Sequence, residues 1–195
     1  MVPTAVRAAV RERYARVASS PEGEFRYPIG RASAQGLGYP AGTIRALPPE
    51  VVDRFVGVGN PFTLGVPARG ACVVDLGCGA GFDALVAAER VGPEGRVLGV
   101  DLSPEMLAVA RDGALTLRAS HVEFLEGDVE DLPVESGVAD LVLSNGVLNL
   151  APCKERAFAE IARVLKPGGV FQAADLVLVR PLPDRLLESD FAWSG

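Results

Sequence analysis

Apolar residues recur near the start of the chain at steps of four, four and three: Val6, Val10, Tyr14 and Val17. With many arginines on the remaining positions, this spacing predicts a helix over 4–18 with one apolar stripe. The periodicity then stops. Residues 19–49 are rich in Gly and Pro, with Phe25, Tyr27 and Tyr39 among them. A connector of that length is expected to be a lid or a flexible arm. PEVVDRFVG (49–57) reads as a short helix with Pro49 near its start. From residue 71 the pattern changes again. ACVVDLG (71–77) is an apolar run of the kind carried by a strand buried on both faces. RVLGVD (96–101), VEFLEGD (122–128), VADLVLSN (138–145) and VFQAADLVLV (170–179) are four more strand candidates. One intervening helix starts at Ser103-Pro104-Glu105, a capping serine followed by proline at the first helical position. Another, over 153–166, puts Ala157, Phe158, Ile161, Val164 and Leu165 on one face and stops at Lys166-Pro167-Gly168-Gly169.

Strands alternating with helices predict an α/β fold: a parallel sheet with right-handed crossovers, flanked by helices. Ligands of such sheets bind at the carboxyl ends of the strands. The pattern divides the chain into an N-terminal helical or lid segment (1–65) and a ligand-binding domain (66–195). No repeat or low-complexity segment interrupts either.

Composition narrows the function classes. The chain has 195 residues, 49% of them apolar, enough for a sizeable core. Its net charge of −6, without a Lys/Arg run, argues against nucleic acid or an anionic membrane as partner. No apolar stretch approaches the ~18 residues that span a bilayer. The arginine-rich start is unlike a secretory signal. Cys72, Cys78 and Cys153 have neither disulfide nor zinc spacing. The expectation is a cytoplasmic protein with ordinary thiols, no metal and a small-molecule substrate.

The chemistry concentrates in DLGCGAGFD (75–83), which closes the first strand and opens a helix. Gly77, Gly79 and Gly81 allow a sharp turn and close approach of a ligand. Asp101 ends the second strand 20 residues after Gly81, where a carboxylate can accept both hydroxyls of a ribose. The loop is not the dinucleotide fingerprint GxGxxG, and Asp75 precedes it. A carboxylate there repels a pyrophosphate and suits an ammonium group. S-adenosyl-L-methionine, with an amino-acid tail and a sulfonium, therefore fits better than NAD. At the third strand, Gly127-Asp128-Val129 offers a carboxylate to the exocyclic amine of adenine; the alternative is that Asp128 only starts a turn.

These motifs carry a resemblance. From about residue 35 to 180 the chain resembles the class I S-adenosyl-L-methionine-dependent methyltransferases, and within them the arsenite methyltransferase and quinone C-methyltransferase group. The matching stretches are GLGYP (36–40), VGNPF (58–62), DLGCGAGFD (75–83), RVGPEGRVLGVDLSPEMLAVAR (90–111), VEFLEGDVEDLPV (122–134), LSNGVLNL (143–150) and RVLKPGG (163–169). The resemblance implies a Rossmann-like sheet of order 3-2-1-4-5. It implies that Asp75, Gly77 and Gly79, with Cys78 and Gly81 in the same loop, hold the methionine end of the cofactor. Asp101 would take the ribose, Leu102 and Met106 would flank the adenine, and Asp128 with Val129 would read its edge. Asn145 would sit near the transferring methyl.

The resemblance also exposes departures. Arsenite methyltransferases hold arsenic on thiolates, soft ligands for a soft atom. One of those cysteines stands in an SNCVxNL motif; here the text is SNGVLNL, with Gly146 at that position, and Pro21–Gly38 has no cysteine. Cys153, seven residues beyond, is the candidate thiol that remains near the site, or else a packing thiol. Cys72 enters the first strand at its amino end. His121 precedes the third strand on the edge away from the site, and Asp83 and Asp175 are the remaining acids. A site without an evident general base favours an acceptor already nucleophilic at neutral pH: a thiol, selenol, metalloid or stabilised carbanion. The competing readings are an O- or N-methyltransferase and a cofactor-binding subunit without turnover.

Family members continue past the fifth strand with a helix and two further strands, which this text lacks. They also carry a cysteine directly after a tryptophan-x-glycine that aligns with Trp193-Ser194-Gly195. Two expectations follow: a truncation, or a reading frame halted at a UGA codon that encodes selenocysteine. In either case strand 170–179 is expected to be an exposed edge through which copies associate, with little turnover.

Overall fold

The computed structural model describes residues 3–177 and 179. Five parallel strands form one sheet: β1 (Cys72–Leu76), β2 (Arg96–Asp101), β3 (Val122–Glu126), β4 (Ala139–Asn145) and β5 (Leu165–Ala174), in the order β3-β2-β1-β4-β5. The helices are α1 (Pro3–Ser19), α2 (Gly30–Gly36), α3 (Ala41–Ala46), α4 (Pro49–Asp53), α5 (Phe82–Val91), α6 (Pro104–Thr116) and α7 (Lys154–Val164). The Rossmann-like order expected from the sequence is the one observed.

The two-sided burial of the strands explains their continuous apolar text. Along β1, Val73 packs into one core layer with Leu85 of α5 and Leu107 of α6. The next residue, Val74, packs into the opposite layer with Ile161 and Val164 of α7. Register aligns the carboxyl ends: Leu76 of β1 lies beside Val100 on one side and Ser144 on the other. Asp75, Asp101 and Asn145 therefore end at one edge of the sheet.

The segment expected to be a lid or arm is largely structured. Ala34, Tyr39, Ile44, Leu47 and Phe62 are buried in the same core layer as α5 and α6. Aromatic packing holds this layer: the ring of Tyr39 meets those of Phe55, Phe62 and Phe82 edge-on, with centroids 5.4, 6.4 and 5.0 Å away. Residues 30–62 thus form a packed wall, and the Gly and Pro residues punctuate short helices. The helix expected over 49–57 ends at Asp53. Beyond it, Phe55 turns its backbone carbonyl to Gly30 N–H at 2.7 Å, which fixes a turn instead.

β5 differs from the expected 170–179 at both ends. It opens with Leu165 opposite Ala139, loops out Lys166–Gly169, and resumes pairing at Val170 opposite Leu141. It ends at Ala174 because Asp175 turns its carboxylate to Leu148 N–H and Asn149 N–H, at 2.8 and 3.3 Å. Trp193-Ser194-Gly195 lies outside the described residues. Among the described residues no helix is long and apolar enough to cross a membrane.

Candidate cofactor and acceptor site

A cavity opens at the carboxyl edge of the sheet, and its floor is the loop after β1. That loop is tied to β2 by Cys78 N–H donating to the Val100 carbonyl at 3.0 Å and Gly79 N–H donating to Asp101 Oδ2 at 2.8 Å. Gly77 has φ 58°, and a Cβ there would lie 2.3 Å from Val147 Cγ2, so no side chain fits. The backbone itself is the surface offered to a ligand.

Three carboxyl groups line this floor: Asp75, Asp83 and Asp101. Asp75 is buried and its Oδ2 has no hydrogen-bond partner. Burial, then the nearby charges of Asp83 and Asp101, push its pKa well above the usual carboxylate range. Burial also raises Asp101, against the opposing pull of N–H donors from Ser103 and Gly79. Asp83 is pushed up to about 6 by burial, although hydrogen bonds from Tyr39 and Asn145 favour its ionised form. Acids crowded into a low-dielectric site repel one another, and a cation is the natural counterpart.

Asn145 lines the cavity and its amide is fully engaged. Its Oδ1 accepts from Val58 N–H and Gly59 N–H, at 2.9 and 3.1 Å. Its Nδ2 donates to the Gly59 carbonyl and to Asp83 Oδ2, both at 2.9 Å. Asp83 Oδ1 in turn accepts from the Tyr39 hydroxyl at 2.6 Å. The asparagine expected near the reacting methyl is thereby committed to clamping Val58 and Gly59 beside the site.

The structure gathers Asp75, Gly77, Cys78, Gly79, Asp101, Leu102, Asp128, Val129, Asn145 and Gly146 around one cavity. It leaves out three of the expected residues. Gly81 caps α5 at φ 85°, and a Cβ there would meet Phe124 and Ala110, so it serves packing. Met106 is fully buried beneath the loop, with its Cε 3.1 Å from where a Gly79 Cβ would stand. Cys153 precedes α7 and turns its Sγ to Glu155 Oε2 at 3.6 Å. The segment just before it, Leu150–Pro152, lines the cavity instead. Cys78 is present but protonated: burial and the charges of Asp101 and Asp75 push its thiol up. Cys72 lies at the amino end of β1, and His121 meets the Ala88 carbonyl at 3.1 Å, both away from the site.

One wall escaped the sequence reading. Arg7, Val10, Arg11 and Tyr14 of α1 line the cavity. Arg7 Nε donates to Asp128 Oδ2, and Arg7 Nη2 donates to Glu130 Oε2 at 2.6 Å. The sequence shows only many arginines beside an apolar stripe; the acids at 126, 128 and 130 are the signal that this face docks. Asp83, in the first turn of the helix that follows the glycine loop, is bound at both oxygens by Tyr39 and Asn145.

A methyltransferase-domain family model matches residues 68–194. The chain is 39% identical to the arsenite methyltransferase of Halobacterium salinarum over 93% of its own length and 50% of the relative's. It is 39% identical to the demethylmenaquinone methyltransferase of Lactococcus lactis over 51% of this chain and 40% of that one. Among solved structures it is similar to an arsenic(III) S-adenosylmethionine methyltransferase from Chlamydomonas reinhardtii, with TM-score 0.62 and 36% identity, covering 82% of this chain and 53% of the other. The chain thus spans about half the length of these relatives.

Proposed function

The chain belongs to the methyltransferase-domain family, and from that premise we propose that it transfers the methyl group of S-adenosyl-L-methionine to a small molecule whose acceptor atom is already nucleophilic at neutral pH. The residues fit this cofactor. The observation that carries the reading is Asp75 Oδ2, a buried carboxylate oxygen without a partner beside a loop that admits no side chain at Gly77. An ammonium group satisfies both the charge and the missing hydrogen bond.

When bound, S-adenosyl-L-methionine supplies a methyl group activated by a sulfonium. Asp75 and the backbone at Gly77 and Gly79 hold its amino-acid end. Asp101 keeps acceptor capacity for ribose hydroxyls while its two oxygens are oriented by Gly79 N–H and Ser103 N–H. Asp128 and Val129 face the adenine edge. Phe55, Val56 and Gly57 line the cavity just before Val58 and Gly59, which Asn145 holds, and help cover the site and exclude water. Methyl transfer is an in-line displacement, so this positioning supplies much of the rate.

The acceptor reading rests on the absence, among the described cavity residues, of a free base beyond the carboxyl groups assigned to the cofactor. Asp83 has a suitable pKa of about 6, yet both of its oxygens are taken by Tyr39 and Asn145. That supports a soft or carbanionic acceptor, of the thiol, selenol or metalloid kind, over a phenol or amine. Among the described residues Cys72, Cys78 and Cys153 do not converge on the cavity.

Incubation of the full chain with methyl-labelled cofactor and an acceptor panel tests this. Label is expected in small thiols, selenols or thiol-bound arsenite. Label confined to phenols or amines would overturn the acceptor reading, and cofactor binding without any product would favour a non-catalytic subunit. Asp101→Ala should weaken cofactor binding at least about tenfold, since hydrogen bonds to a charged group contribute about 1.5–3 kcal/mol each. An unchanged dissociation constant by calorimetry would remove the ribose assignment.

A further inference from the structure

Glu130 is 4% exposed, and its carboxylate joins three parts of the molecule. Its Oε2 accepts from Arg7 of α1, and its Oε1 accepts from Cys153 N–H at the start of α7, at 2.6 and 2.7 Å. Its own backbone N–H donates to Asp128 Oδ1 at 2.9 Å. Arg7 bridges the same two acids, so Asp128 is gripped on Oδ2 by the guanidinium and on Oδ1 by the backbone. A carboxylate held at both oxygens cannot rotate, and the lone pairs left to it point in fixed directions. Arg7 and Asp128 are 121 residues apart in sequence, so nothing local imposes this pairing.

The planar fork of arginine suits the task. It binds two carboxylates at once from a helix that also forms a cavity wall through Val10, Arg11 and Tyr14. Arg11 adds an exposed contact with Glu126 at 3.3 Å, which contributes little. The half-buried pairing of Arg7 with deeply buried Glu130 is the anchor, because losing it leaves a buried charge with one remaining neutral donor.

We propose that Arg7 is a positioning residue for adenine recognition: it fixes the orientation of Asp128 toward the exocyclic amine, with Glu130 as its buried anchor, and in doing so draws α1 across the adenine end of the cavity. The proposal rests on the cofactor reading above. It makes α1, which lies outside the strand–helix repeat, part of the specificity machinery.

The test compares S-adenosyl-L-homocysteine with S-inosyl-L-homocysteine, which carries an oxygen in place of the 6-amino group. The wild-type chain is expected to prefer the adenine ligand. Arg7→Ala should shrink that preference by roughly tenfold, the discrimination typical of one charge-assisted hydrogen bond, and Arg7→Lys should restore part of it. A merely structural role would weaken both ligands equally, and an unchanged ratio in a folded Arg7→Ala chain would overturn the proposal. Should that variant not fold, hydrogen exchange on the wild-type chain decides. S-adenosyl-L-homocysteine is expected to protect the amides of α1 more than S-inosyl-L-homocysteine does at equal saturation, and identical protection would overturn the proposal. Failure of the wild-type chain to bind either ligand would remove the cofactor reading itself, and this inference with it.

Discussion

Gly146 follows the last residue of β4 with φ 76°, in the left-handed region, and its N–H donates to the Ala174 carbonyl at 2.8 Å. A Cβ there would stand 3.3 Å from Val58 Cγ1. The position favours glycine for its backbone as well as for the space it leaves at the cavity. Gly146→Cys would therefore add about 1–2 kcal/mol of left-handed strain, lowering Tm by a few degrees in thermal unfolding. It should not create arsenite methylation. Cys78 is buried and protonated, Cys153 faces Glu155, and Cys72 lies at the far edge of β1, so one new thiolate has no thiolate neighbours. Rapid methylation of arsenite by this single variant, followed by separation of the arsenic species, would refute that geometry.

At the scale of elements, Asn145 joins the end of β4 to the turn at 57–59 and, through Asp83, to α5. Asn145→Ala would leave Val58 N–H, Gly59 N–H and one oxygen of buried Asp83 short of a partner, at about 1–3 kcal/mol for the buried oxygen and less for the two half-buried N–H groups. Hydrogen exchange should show residues 55–60 losing protection while β1 and β2 keep theirs; uniform loss would point to a global effect instead. The sheet was legible in the sequence because two-sided burial writes strands as apolar runs, and strand ends fix where a ligand binds. That rule, with the glycine-loop motif and the family resemblance, points to Asp75, Asp101 and Asp128, which lie around one cavity. The wall formed by 30–62 was not legible, because its short helices are stabilised by rings from α5 and the preceding turn rather than by a local period. The α1 wall was hidden for a similar reason: an arginine on a helix surface looks the same whether it meets water or a carboxylate 121 residues away.

On the scale of the whole molecule, β3 and β5 are the outer strands of the described sheet. Val170 of β5 is 50% exposed, next to the looped-out Lys166–Gly169. Among the described residues no strand pairs with the outer side of β5, such edges template further pairing, and copies of this chain are expected to associate through it. Val170→Lys should lower the apparent mass in concentration-dependent light scattering, and an unaltered mass would exclude that edge as the contact. The carboxyl cluster acts on a similarly global quantity. Asp83 has an ordinary value of 3.8 and reaches about 6 in the fold, so the folded chain holds this proton more tightly than the unfolded one. That contribution to stability is complete below 3.8 and disappears as pH rises through about 6. Asp75 and Asp101 shift in the same direction. The Tm gain from bound S-adenosyl-L-methionine should consequently be larger at pH 7 than at pH 5, and an equal gain would show that the cluster does not sense the ligand's charge. Methyl donation turns a cationic ligand into one with a unit less positive charge. In the proposed reaction the sulfonium charge is lost while the ammonium group stays, so only that part of the acidic floor's attraction that reaches the sulfonium would tell fresh cofactor from spent, with no moving part beyond the charge itself.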